Sequence, residues 1–197
     1  ESLLALASSP SLLRGDLEQF HRQASEALRY RQLHALVRTS DGQQIMNTRV
    51  PFGTVLPSSP LSEVEREVIV KRWPRISNLV IGGVTRAWVL GLSVPVIRDD
   101  KIAYVITMSI DPEYIRRIIS QSPRDRDWII AVSDPSGRLI ARSEDHAVYL
   151  GRIIHPDVKG WSVPPEGVHH TPALNGEMVL RGYRWSSKAD WLVAAFV

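Results

Sequence analysis

The chain has 197 residues, of which 44% are hydrophobic and 23% charged, and its formal net charge at pH 7 is +3. This length and hydrophobic content suffice for one domain or two small ones with a packed core, and they exclude a disordered protein; the arginines mostly lie beside acidic residues, so no nucleic-acid partner is expected. Cysteine is absent, which excludes disulfides, thiolate-bound zinc, a thiol nucleophile and a cysteinyl-flavin photosensor.

Residues 1–32 are predicted to form a long N-terminal helix with a break. Apolar residues recur there at helical spacing, with acidic residues and arginines on the other face. Pro10 and Gly15 interrupt the pattern, so two consecutive helices and one kinked helix both fit it. A helix of this length extends beyond a small sheet, and we expect it to link the sheet to another part of a longer protein.

Two stretches superimpose without a gap, residues 35–48 and residues 130–143. Each has an apolar run, a turn of polar residues ending in glycine, and a second run, which is the pattern of a β-hairpin. Each is followed by an irregular stretch and then by a second pair of strands, predicted within 87–110 and 178–197. The repeat therefore predicts two modules of one kind, each an antiparallel sheet with flanking helices and loops.

Two further helices are predicted within this α+β arrangement. Ser62 and the acidic residues after it begin one that runs to about Lys71. Asp111 and Pro112 begin another that runs to about Gln121. We therefore divide the chain into an N-terminal helical segment, a first module, a linker and a smaller second module, at residues 1–32, 33–121, 122–127 and 128–197.

The order of these elements resembles the double Cache (tandem PDC, PAS-like) extracytoplasmic sensor domains of bacterial sensor histidine kinases, diguanylate cyclases and chemoreceptors. Short phrases at 39–42, 47–53 and 91–96 are also similar to that family. The resemblance implies a periplasmic ligand-sensing domain of an inner-membrane receptor, homodimeric in the full-length protein and flanked by transmembrane helices that this chain does not contain. We accordingly expect the chain to be cut from a longer protein whose output domain is a histidine kinase of a two-component system or a diguanylate cyclase. The domain itself is expected to have no catalytic residues, metal or cofactor.

The resemblance also implies a small-molecule pocket in the first, membrane-distal module. Arg72 could hold a carboxylate through paired N–H donors and Trp73 could stack on the ligand, but a solvated helix end and a core tryptophan would show the same residues. Ser77 and Asn78 lie in a loop that could wrap a ligand, although a loop that only connects a helix to a strand requires much the same residues. The hydroxyls of Thr107 and Ser109 alternate with apolar residues on one strand, which fits either a polar pocket floor or a solvent-facing strand. The candidate ligand-binding residues are Arg72, Trp73, Ser77, Asn78, Thr107 and Ser109.

The expected ligand is a small organic anion. In the amino-acid-binding branch of the family, an aspartate of the last strand binds the ligand amine, and Ser109 aligns with that position. Pro74 stands where the same branch has an aromatic residue. Both departures count against a free α-amino acid.

Two other functional classes stay open. A hydrolase or other enzyme could use a PAS-like scaffold, although no nucleophile elbow, zinc-protease helix or phosphate-binding loop occurs in the sequence. A cytoplasmic PAS tandem could serve as a dimerisation module. The histidines lack the spacing of a metal site, and no stretch approaches the roughly 18 apolar residues of a membrane-spanning helix. Transmembrane segments on both sides of the chain would fit only the receptor.

Overall fold

The computed structural model describes residues 2–29, 33–123, 127–154, 164–173 and 175–197. They form two compact units, residues 1–110 and 111–197. Both units combine helices with an antiparallel sheet, as the α+β prediction requires. No helix among the described residues is long and apolar enough to cross a membrane. The elements are α1 (Ser2–Ala7), α2 (Pro10–Arg14), α3 (Leu17–Arg29), β1 (His34–Arg38), β2 (Gln44–Asn47), α4 (Glu63–Lys71), β3 (Arg75–Ile76), β4 (Val80–Ile81), β5 (Trp88–Arg98), β6 (Lys101–Ile110), α5 (Pro112–Gln121), β7 (Ile129–Ser133), β8 (Leu139–Arg142), α6 (His146–Tyr149), β9 (Glu166–Pro172), β10 (Met178–Trp185) and β11 (Leu192–Phe196).

The N-terminal segment was predicted as a long helix with a break, and its described residues form three short helices. Ser9 is extended because a residue before proline avoids the helical region, and Pro10 then begins α2. Gly15 ends α2 with a φ of 79°, in the left-handed region that glycine adopts most readily. Gln23 of α3 accepts hydrogen bonds from the hydroxyls of Ser9 and Ser11, at 2.7 and 2.9 Å, which fixes α2 against α3. Residues 1 and 30–32 of the predicted segment lie outside the described residues.

The sheet of the first unit has the strand order β2-β1-β6-β5-β3, and β4 pairs with the other end of β5. One face is apolar and carries the core, with Val37, Val94 and Ile106 fully buried. Helices α1 and α3 contact this face, α1 through β5 and β6 and α3 through β1. Because side chains alternate along a strand, the residues between these core positions lie on the opposite face. Helix α4 contacts β3, β5 and β6.

The second unit has the strand order β8-β7-β11-β10-β9, with α5 packed on β7 and β8. Position by position this is the order of the first sheet, with β7 in the place of β1 and β11 in the place of β6. Helix α5, which the sequence-based division places in the first module, groups with the second unit. Residues 124–126 of the predicted linker lie outside the described residues. The four-part division itself stays a prediction.

The predicted hairpin repeat is confirmed by the strand register. The register shifts after Val37 in the first hairpin and after Val132 in the second, which are the positions that the ungapped alignment equates. Gly42 and Gly137 are likewise equivalent, and both have a positive φ, at 97° and 77°. The two modules therefore share a β-bulge and a turn as well as a strand order.

Candidate functional site

The face of the first sheet opposite α1–α3 is buried but polar, and we call it the polar face. Its rows follow from the strand pairing: Leu36 lies opposite Thr107 and Thr107 opposite Ser93. The hydroxyls of Ser93 and Thr107 are 2.7 Å apart and hydrogen-bonded. Buried polar groups need hydrogen-bond partners to replace the water that they lose, so these residues form an organised polar surface inside the unit. Its buried polar residues are Arg38, Gln44, Asn47, Ser93, Thr107 and Ser109.

Ser77 follows β3 and lies beside β5, at the edge of the polar face. Its hydroxyl accepts a hydrogen bond from the N–H of Gly91 at 2.8 Å, and its own N–H donates to the Gly91 carbonyl, also at 2.8 Å. A Cβ on Gly91 would lie 3.0 Å from Thr107 Cγ2 and 3.5 Å from Ser77 Oγ. The missing side chain at position 91 thus lets the loop after β3 approach the hydroxyls of the sheet.

Arg49 is a functional candidate that the sequence analysis did not single out. It follows β2, and its Nη2 donates to Ser109 Oγ at 3.3 Å. Its N–H donates to Asn47 Oδ1 at 2.9 Å, which positions the backbone at this turn. A half-buried guanidinium beside a hydroxyl can hold a carboxylate. The signal lay in the phrase 47–53, where an arginine comes two residues after a strand.

A buried ion pair closes one end of the polar face. Arg38 of β1 donates to the Glu65 carboxylate of α4 at 3.3 Å, and the two side chains are 9% and 11% exposed. Glu65 also accepts from the N–H of Ser62, while the Ser62 hydroxyl accepts from the N–H of Glu65. This reciprocal cap begins α4 and places its carboxylate against the sheet. The pair fixes the helix that covers the polar face.

The structure separates the six predicted ligand-binding residues into groups. Ser77, Thr107 and Ser109 come together at the polar face. Arg72 ends α4, and its Nη1 and Nη2 both donate to Asp100, each at 2.8 Å, in the turn between β5 and β6. Because Thr107 lies seven residues beyond Asp100 along β6, the guanidinium of Arg72 is roughly 20 Å from the hydroxyl of Thr107. Trp73 is 68% exposed, and Asn78 is exposed as well.

A cavity of about 740 Å³ lies in the first unit between the β1–β2 turn and the loop 54–60. None of the six predicted residues lines it. Among the described residues, no group of three or more histidine, aspartate or glutamate side chains could hold a metal ion; His155 lies outside them. The polar face, and not this loop cavity, is therefore the candidate site of the first unit.

His34 borders the polar face as the strand neighbour of Ser109. Burial lowers the pKa of its imidazole, and the positive charge of Arg49 lowers it further. The neutral ring adds no positive charge near Arg49 at pH 7.

Stability is expected to rise with pH between about 5 and 7. Burial also lowers the pKa of His146 and of His169. Such a histidine binds fewer protons folded than unfolded, so the folded state loses stability as the pH falls through the unfolded value of about 6.5. We expect a lower urea midpoint at about pH 5.5 than at about pH 7.5, and a smaller difference in His34→Gln. The exposed His170 gives the control His170→Gln, which should leave the difference unchanged; equal midpoints at both pH values in the parent protein would contradict the prediction.

No protein-family model matches the chain, and no curated protein matches it. Several solved structures do match. The extracellular domain of rpHK1S-Z16, put forward as a histidine kinase, is 17% identical with a TM-score of 0.68, over 90% of this chain and 76% of that one. The ligand-binding domain of the Campylobacter jejuni chemoreceptor Tlp3, in complex with L-valine, is 12% identical with a TM-score of 0.64, over 98% and 79%. That of the Pseudomonas aeruginosa PAO1 amino-acid chemoreceptor PctC, in complex with GABA, is 14% identical with a TM-score of 0.63, over 90% and 80%. The chain therefore has the fold of these extracellular sensor domains, which is the fold that the sequence resemblance implies.

Proposed function

We propose that this chain is the extracytoplasmic ligand-sensing domain of a membrane-bound bacterial receptor, with a histidine kinase as its output domain and no catalysis of its own. The buried polar face of the first sheet, on a fold shared with sensor domains, supports this function. A face that served only for packing would be apolar, because burying hydroxyls and a guanidinium stabilises a fold less than burying carbon does.

The domain organisation is part of the proposal. We propose two PAS-like modules after the N-terminal helices, with the first distal to the membrane and the second proximal to it. In the full-length receptor the domain would be a homodimer in the periplasm, attached through flanking transmembrane helices. The matching strand orders and bulges of the two sheets support the tandem arrangement.

The ligand that we propose for the polar face is a small organic anion. Arg49 supplies the positive charge, and the hydroxyls of Ser77, Thr107 and Ser109 supply neutral partners. Since Ser109 occupies the position of the amine-binding aspartate in the amino-acid branch, this face lacks the carboxylate that an α-amino group needs. Arg72, Trp73 and Asn78 stay candidates for the rim, although Asp100 holds the guanidinium of Arg72.

Signalling would follow from a population shift. An anion that contacts both the sheet and the segment after α4 favours the arrangement in which these two parts are closed. The N-terminal helices pack on the other face of the same sheet. A change in the sheet can therefore reach them, and through them the membrane.

Replacing Arg49 with glutamine is expected to weaken anion binding by about 1.5–3 kcal/mol, the range for a hydrogen bond to a charged group. A thermal-shift screen that contains succinate, glutarate, L-valine and GABA identifies the compound, and calorimetry then measures its affinity for each variant. Arg66→Gln, an exposed change on α4, is the control and should bind as the parent does.

Arg72→Gln separates the two candidate anchors. If Arg72→Gln loses affinity and Arg49→Gln does not, the anion binds at the loop and not at the polar face. If no compound in the panel raises the melting temperature, the proposed ligand class is wrong.

A further inference from the structure

A second cavity, of about 640 Å³, lies on one face of the sheet in the second unit. Its floor includes three buried residues of the central strands, Ala131, Leu192 and Ala194. The volume is within the range of small-molecule sites, which usually combine an apolar lining with a few polar groups. Apart from its charged residues and Ser133 this floor is apolar, which fits a ligand with an apolar body.

Two arginines of this cavity are nearly buried, Arg142 at 9% and Arg181 at 7% exposure. Arg142 extends from β8 beneath the ring of Tyr149, 4.7 Å from its centroid, and reaches within 5.6 Å of the ring centroid of Phe196 on β11. Phe196 is the strand partner of Arg181. Phe196 thus lies between the two arginines, in contact with the guanidinium of Arg142 and beside Arg181 in the sheet.

The contacts of Arg142 leave its charge weakly compensated. Its Nη1 donates to the Glu144 carbonyl at 2.7 Å, and the nearest Asp145 oxygen is 3.6 Å away on a side chain that is 71% exposed. An ion pair of that length and exposure contributes little. A buried guanidinium usually has a close carboxylate, so an anion in the cavity would supply what the protein does not.

Arg181 is paired with a ring nitrogen. Its Nη2 lies 2.8 Å from Nε2 of His169, its neighbour on β9. Burial and the charge of Arg181 both lower the pKa of His169, so its ring is neutral at pH 7 and accepts this hydrogen bond. A guanidinium has five N–H donors, and this bond fixes its orientation.

The strand pairing shows that this is the same face as the polar face of the first unit. Arg181 takes the position of Gly91, because Gly91 lies two residues before the strand partner of Thr107 and Arg181 lies two residues before the strand partner of Ala194. Arg142 takes the position of Asn47. Ala194 likewise takes the position of Thr107. One copy of the module thus carries hydroxyls at the floor, and the other carries alanine between two arginines.

We propose that the second unit has its own ligand site, in which a small organic monoanion places its carboxylate between Arg142 and Arg181 and its apolar body on Ala131, Ala194 and Phe196. Exposed acidic residues at the mouth of the cavity make a monoanion a better fit than an ion of higher charge; they are Asp127, Asp145 and Glu177. The site does not depend on a ligand at the polar face of the first unit.

Benzoate and hexanoate test the proposal, with benzamide and hexanamide as uncharged controls of the same shape. NMR of the whole 197-residue protein, in a buffer without carboxylates, follows the methyl groups of Ala131 and Ala194. We expect at least one carboxylate to shift these methyls saturably with a Kd below about 1 mM, and the amides not to do so. Arg142→Gln and Arg181→Gln should each weaken binding about 10- to 100-fold.

Two further variants make the test decisive. Arg184 is on the same strand as Arg181 but on the other face, 79% exposed and paired with Glu166; Arg184→Gln should bind as the parent does. Ala194→Leu fills the floor of the cavity while keeping both arginines, and it should abolish binding even if the arginine variants do not fold. The proposal is overturned if no methyl shifts saturably up to about 10 mM, if the amides bind equally, or if Ala194→Leu leaves the affinity unchanged. Shifts confined to the first unit would also overturn it, while supporting the proposed function of the polar face.

Discussion

The free energy of unfolding is expected to fall by about 3–5 kcal/mol when Glu65 is replaced by alanine. The change leaves the buried guanidinium of Arg38 without its carboxylate, which costs far more than the pair itself contributes. It also removes the acceptor for the N–H of Ser62, so α4 loses half of its cap. Urea unfolding measures the loss, and weaker anion binding at the polar face should accompany it because α4 covers that face.

The same helix contains a matched control. Glu67 pairs with Lys71 and Arg75 at the surface, where water and salt screen the charges. Glu67→Ala should therefore change stability little. The double variant with leucine at positions 38 and 65 should recover most of the loss, since a buried pair can be exchanged for apolar residues. Equal losses in Glu65→Ala and Glu67→Ala would show that burial does not govern this pair.

Phe20→Ala is expected to cost about 3–5 kcal/mol, the range for an aromatic residue deleted from a core. Phe20 is fully buried on α3, the helix that packs on β1. Its removal leaves a cavity that the sheet cannot collapse to fill. Phe52, which is partly exposed, allows the same substitution where the ring has water on one side, and Phe52→Ala should cost about 1 kcal/mol or less. A midpoint of urea unfolding that moves equally in both variants would contradict the assignment of α1–α3 to the core of the first unit.

The hairpins could be predicted because their signals are local. Glycine at positions 42 and 137 and the apolar runs beside it determine the turn and the strands within 14 residues. The same logic found the caps of α4 and α5, which Ser62 and Asp111 form. Pro10 and Gly15 indicated the break in the N-terminal segment, but the pattern fitted one kinked helix as well as two helices, and three short helices are described.

The sites could be predicted only in part because they are assembled from distant strands. Thr107 and Ser109 alternate on one strand, so the sequence indicates their common face. Arg49, however, reaches Ser109 from 60 residues away, and the approach of Arg142 to Phe196 depends on β7 lying between their strands. Arg72 was chosen for its place beside Trp73, and its ion-pair partner Asp100 is 28 residues further along the chain, where local sequence gives no indication of the contact.

The equivalent strand order and bulge of the two sheets are what a tandem duplication of one ancestral module would leave. In both copies the bulge follows a buried valine, Val37 or Val132, on the side of the hairpin that packs into the core. The other side has diverged: at equivalent positions the first module has Gly91 and Thr107, and the second has Arg181 and Ala194. Duplication thus gives a single chain two chemically different surfaces on one copied backbone, and each copy can acquire a new specificity without the other losing its own.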